Sequence, residues 1–156
     1  MAALKIVGVG NRFRSDDGAG PSVIDRLAAR MPAGVLATST GELTELLSWL
    51  ADTNEVVIID AVDAARPAGT VIRLDPINET LNEHGLRSNS HALGVVEAIE
   101  MARTLGKLPQ RLSIIGIVGQ HFGHGECLSR AVREAAARVA DELLEAFAPA
   151  VLPGQG

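Results

Sequence analysis

Runs of branched apolar residues alternate along this chain with stretches whose apolar residues recur every three or four positions. That alternation restricts the fold more than any other feature. The runs "LKIVGV" (4–9), "VLATS" (35–39), "EVVIID" (55–60), "GTVIRL" (69–74) and "RLSIIGIVG" (111–119) are short, bounded by turn-forming residues and largely unbroken by polar positions. A strand of that kind is covered on both faces, as in parallel sheets flanked by helices. Between the runs, Val23, Ile24, Leu27 and Met31 fall on one helical face, as do Leu43, Leu46, Leu47 and Leu50. The same holds for Val95, Ala98, Ile99 and Ala102, and for Val132, Ala135, Ala136, Val139 and Leu143. The order β-α-β-α-β-β-α-β-α predicts an α/β fold. Its form is a three-layer sandwich: a mostly parallel, twisted, five-stranded sheet with helices on both faces. The helix-free connection "AVDAARPA" (61–68) is expected to return like a hairpin and leave one strand antiparallel.

A chain of 156 residues is long enough for one buried core and short for two, so a single domain over 1–156 is expected. The net charge of −5 comes without a Lys or Arg cluster, and the chain has no Tyr, which argues against a nucleic-acid partner. The first apolar run is too short to cross a membrane or to serve as a signal, and the lone Cys127 has no internal disulfide partner. These features point to a cytoplasmic protein with no membrane association. Gly106 is placed to close the third helix and Ser129 to cap the fourth. Residues 75–90 form the longest stretch without an element, a length that usually marks a functional loop, and "PAVLPGQG" at 149–156 is expected to fray.

In an open α/β sheet the residues just past the strand ends line the crevice where chemistry occurs. After the first strand, "GVGNRFRSDDGAG" (8–20) begins as G-x-G, but the third glycine of a dinucleotide fingerprint falls at Phe13. A nucleotide-binding module is therefore a weak alternative. Asp16 and Asp17 precede the first helix, where an acidic residue also serves as a cap or faces the helix dipole. Asp16 is expected to support the turn by accepting backbone N–H groups, and Asn11 to brace the same loop. Asp60 ends an apolar strand, half desolvated, and such a carboxylate needs a partner or a cation; Asp63 is the competing, more solvated carboxylate. His91 lies near the start of the third helix, where the dipole favours neutral imidazole, a good metal ligand, although a capping role is the plainer alternative. After the fifth strand, His121, His124, Glu126 and Cys127 fit no standard zinc spacing and read better as a glycine-rich loop over the crevice. Two carboxylates and one imidazole, Asp17, Asp60 and His91, form a ligand set for a divalent transition ion that leaves positions open. No Ser-His-Asp arrangement follows from the spacing, and Cys127 lacks a base.

These motifs resemble those of the endopeptidases that mature the large subunit of nickel-iron hydrogenases. "GVGNRFRSDDGAG" is similar to the family's G-x-G-N-x-x-x-x-D-[DE]-x-x-G opening, "VVIIDAVD" to its second acidic strand end, and "SHALGVVEAI" to its His-x-x-G helix. The resemblance implies an endopeptidase that removes a C-terminal extension from a hydrogenase large-subunit precursor. Asp17, Asp60 and His91 are then metal ligands and catalytic residues, and the nickel is carried by the substrate rather than held by the free enzyme. A monomer docking one large partner is the simplest expectation. A nickel-binding assembly chaperone without cleavage is the alternative that needs the same ligands. Two places depart from the family's pattern: "GQH" (119–121) stands where a Pro-Glu-Ser-like turn is usual, and "TSTGEL" (38–43) where a Gly-Gly-Thr-like segment is usual. Both lie where substrate is read, so the particular hydrogenase and the cleavage site stay open.

Overall fold

A computed structural model describes residues 2–79 and 92–151. Five strands and four helices follow in the expected order: β1 (Ala2–Val9), α1 (Ala19–Ala28), β2 (Leu36–Ser39), α2 (Leu43–Asp52), β3 (Thr53–Val62), β4 (Val71–Leu74), α3 (Ala92–Thr104), β5 (Arg111–Val118) and α4 (Arg130–Val151). They build one sheet of order β2-β1-β3-β5-β4, parallel except for β4. The side chains of β3 alternate between two apolar layers. Val57, Ile59 and Ala61 pack with α1 and α4, whereas Val56, Ile58 and Val62 pack with α2 and α3. A sheet buried on both faces explains why the strands read as unbroken apolar runs.

The expected antiparallel strand is present, but the hairpin-like return is not. β4 pairs with β5, not with the β3 that precedes it. Strand β5 takes the edge of β3, in a ladder running from Glu55 with Arg111 to Val62 with Val118. The 61–68 connection must therefore carry the chain past β5, where the Gly69 amide donates to the Val118 carbonyl at 2.8 Å.

Two helix ends also refine the sequence reading. Gly106 closes α3 as expected, at φ +67°, with the Lys107 amide donating to the Ala102 carbonyl at 2.8 Å. Ser129 precedes α4, but its hydroxyl donates to Asp16 instead of capping the helix. Residues 149–151, expected to fray, continue α4. Within 75–90, the described part is an ordered turn at Asp75–Glu79, fixed by Asp75 and by the Arg103 guanidinium donating to the Pro76 carbonyl at 2.5 Å. Residues 80–90, and His91 with them, lie outside the described residues. No described helix is long and apolar enough to cross a membrane.

Candidate active site

The winding of the sheet reverses at β1, which sends the chain first to β2 on one side and then to β3 on the other. Such a reversal opens a crevice beyond the carboxyl ends of the strands. Asp60 stands at that point, the register partner of Val9, the last residue of β1. By strand alternation it shares the face of Ile58 and Val62, which belongs to α2 and α3. The side chain is only 2% exposed, and neither carboxylate oxygen has a hydrogen-bond partner among the described residues. Burial, reinforced by the charge of Asp17, pushes the Asp60 carboxyl well above the ordinary carboxylate range. The Ala61 amide pulls weakly the other way, from outside hydrogen-bonding geometry.

Asp17 reaches the same place from the loop after β1. A single 3₁₀ turn, Ser15–Gly18, buries it completely. Its Oδ2 accepts the Asn11 amide at 3.0 Å, folding the loop back on itself. Gly18, the next residue, is the N-cap of α1. Asn11 braces the loop as expected: its Oδ1 accepts the Phe13 amide at 2.9 Å.

The glycines of this loop serve packing, not phosphate. A Cβ on Gly8 would lie 2.4 Å from the Gly20 carbonyl oxygen, and one on Gly10, at φ +145°, would lie 1.9 Å from that of Asp17. A Cβ on Gly20 would in turn lie 2.5 and 2.6 Å from the backbone oxygens of Ile59 and Val9. Helix α1 therefore rests directly on the ends of β1 and β3. Close helix–strand packing is thus reason enough for glycine at all three positions. A further close approach holds the first part of α3, where Gly94 meets the Gly41 carbonyl in the loop after β2.

Asp16 supports the turn as expected, and its reach is longer than its own loop. Its carboxylate accepts the Gln120 and His121 amides at 2.8 and 3.0 Å and the Ser129 amide and hydroxyl at 2.6 and 2.7 Å. Burial opposes the charge, but those donors outweigh it and hold the Asp16 carboxyl below the usual range. Arg14 and Gly125 add a parallel bridge, with the Ser15 amide donating to the Gly125 carbonyl at 2.7 Å. The loops after β1 and after β5 are thus one fixed unit.

The hydrogenase maturation protease family model matches residues 37–146, well over half of the chain. The chain belongs to the hydrogenase maturation protease family. It is 23% identical to hydrogenase 2 maturation protease of Escherichia coli K12, over 95% of this chain and 94% of that one. It is 26% identical to the hydrogenase expression/formation protein HupD of Rhodobacter capsulatus, and there the chain spans about half the length of the relative, 54%. Among solved structures, the E. coli endopeptidase HybD superposes with a TM-score of 0.77 over 94% of this chain and 92% of that one, at 22% identity. HybD from Thermococcus kodakarensis superposes at 0.71, covering 95% and 99% of the two chains, at 27% identity. These likenesses carry the three-layer α/β fold.

Within this family member, Asp17 and Asp60 come together as expected, Asp63 is exposed on the loop beyond, and His91 lies outside the described residues. Among the described residues no three His, Cys, Asp or Glu side chains are grouped to hold a metal. His121, His124, Glu126 and Cys127 accordingly form no cluster, and all four are exposed. The residue that sequence reasoning missed is Ser129. Its partner Asp16 lies 113 positions away, and nothing local marks so distant a contact.

Proposed function

We propose that this chain is the endopeptidase its family membership implies, trimming the C-terminal extension of a nickel-iron hydrogenase large-subunit precursor once nickel is in place. The observation that carries the reading is the buried pair at the strand reversal, with Asp60 lacking a hydrogen-bond partner among the described residues and Asp17 adding its charge. Two carboxylates in a low-dielectric pocket repel each other, and a divalent cation reverses the sign of that interaction. In this reading Asp17, Asp60 and His91 complete the coordination of nickel brought by the precursor. Nickel so held supplies Lewis-acid chemistry at the adjoining peptide carbonyl or water. The protein's own part is to fix both carboxylates before the substrate arrives. The Asn11 amide orients Asp17, strand β3 holds Asp60, and Asp16 locks the loops around them.

The test is incubation with the large-subunit precursor, nickel-loaded and nickel-free, followed by mass measurement of the product. Loss of a C-terminal fragment from the loaded precursor alone is the expected result. Binding of the loaded precursor without loss of mass would replace the protease reading with that of an assembly chaperone.

A further inference from the structure

Of the three Phe and one Trp in the chain, Phe122 and Phe147 pack against the α1 and α4 layer and Trp49 against the α2 and α3 layer. Phe13 does neither, and is 63% exposed. A lone exposed apolar side chain is ordinary on a protein surface. What distinguishes Phe13 is where it stands and how firmly its backbone is held. Its amide donates to Asn11 Oδ1, its carbonyl accepts the Gly125 amide at 2.9 Å, and the Ser15 amide two residues on is tied to the Gly125 carbonyl. Arg12 beside it is anchored to Asp25 on α1, with Nη2 at 2.9 Å from Oδ1. The ring therefore projects from a loop that has little backbone freedom left to lose.

Two surface grooves meet at this ring. One, of about 300 Å³, runs between Phe13, Gly18, Ser22 and Leu128. The other, of about 390 Å³, runs between Phe13, Asn11, Pro21 and Thr38. Phe13 and Arg12 border both. Each groove also touches the immediate surroundings of Asp17: the first reaches Gly18, next to it in sequence, and the second reaches Asn11, whose amide Asp17 accepts. An endopeptidase must hold its substrate on both sides of the bond it cuts. A pair of grooves flanking the loop that delivers Asp17 meets that need, and a fixed aromatic between them is the type of side chain that dominates such contacts.

We infer that Phe13 is a substrate-positioning residue: an extended segment of the precursor crosses its ring, with one flank in each groove. The inference rests on the protease reading. Its effect is on how the precursor is held, since the ring is neither an acid nor a base.

Steady-state cleavage of nickel-loaded precursor is to be compared for the wild-type chain, Phe13→Ala and Phe13→Leu, alongside their melting temperatures. Phe13→Ala is expected to raise KM about tenfold with kcat within about twofold, and Phe13→Leu to keep KM within about threefold of wild type. The melting temperature of Phe13→Ala should be unchanged, because the side chain covers little of the core. Wild-type cleavage with an unaltered KM for Phe13→Ala overturns the inference while leaving the protease reading intact. So does a fall confined to kcat, or a marked loss of stability. Absence of cleavage by the wild-type chain overturns both readings.

Discussion

Asp60 and Asp17 are brought together from separate segments, one at the end of β3 and one in the turn before α1, and the charge of Asp17 adds to burial in raising the Asp60 carboxyl. This arrangement is costly without a cation, and it predicts that Asp60→Asn stabilises the metal-free protein. Removing a buried charge of this kind is worth about 1 kcal/mol or more, a rise in Tm of about 2–4 °C for a chain of this size. The sign with pH follows from the direction of the shift. Because the folded-state pKa lies above the unfolded value of 3.8, the penalty is fully present above the folded pKa, shrinks as pH falls below it and is gone once pH is below 3.8. The gain from Asp60→Asn should therefore be largest at neutral pH and shrink on acidification. Thermal melts of both proteins with chelator, from neutral to acid pH, measure it; the variant should also lose cleavage of loaded precursor.

Asp16 carries the opposite sign. Its folded-state pKa lies below 3.8, held there by donors from His121, Ser129 and Gln120 against the opposing effect of burial. Its contribution to stability is present in full above 3.8 and is lost as pH falls through the folded value. Asp16→Ala leaves three backbone amides and a hydroxyl without their acceptor, and a loss of at least about 2 kcal/mol at pH 7 is expected. Denaturant unfolding at pH 7 and again in strong acid checks this. A wild-type advantage that persisted undiminished in acid would mean that the contribution does not depend on the charge.

Most of this architecture is legible in the sequence because unbroken apolar runs and the helical period of 3.6 are local properties, and the order of elements follows from them directly. The position of β4 is not legible. Its own residues suit either edge, and only the ladder of β5 along β3 decides between them. At the site, Asp60 stands out because a carboxylate ending "EVVIID" has no local means of paying for its burial. Asp17 and Asp16 are adjacent and chemically alike, and their roles diverge only through groups far along the chain: Asp16 faces residues 120–129, and Asp17 faces Asn11 and Asp60.

Gly20→Ala sets local propensity against packing. In an isolated helix the change should stabilise by about 1 kcal/mol. Here the added Cβ would lie 2.5 Å from the Ile59 oxygen and 2.6 Å from that of Val9, both backbone atoms that move only with their strands. The expected outcome is a net destabilisation of about 1–3 kcal/mol, together with reduced cleavage as α1 and the Asp17 turn lift away from β3. Urea unfolding gives the sign, and a stabilised variant would show that the helix can shift freely.

If nickel is cargo on the precursor, the order in which metal is removed should decide activity. Chelator treatment of the free protease, followed by desalting, should then leave cleavage of loaded precursor unchanged, because the ion arrives with the precursor. Withdrawing nickel from the precursor should abolish cleavage. Asp17→Asn and His91→Ala should each reduce cleavage by about 10²-fold or more, as loss of one ligand from an open metal site does, and neither should restore it when free nickel is added. The discriminating case is chelated protease with loaded precursor. Inactivity there, recovered by returning metal to the protease, would assign the ion to the protease itself, and Asp17 and Asp60 would then be ligands of a resident metal.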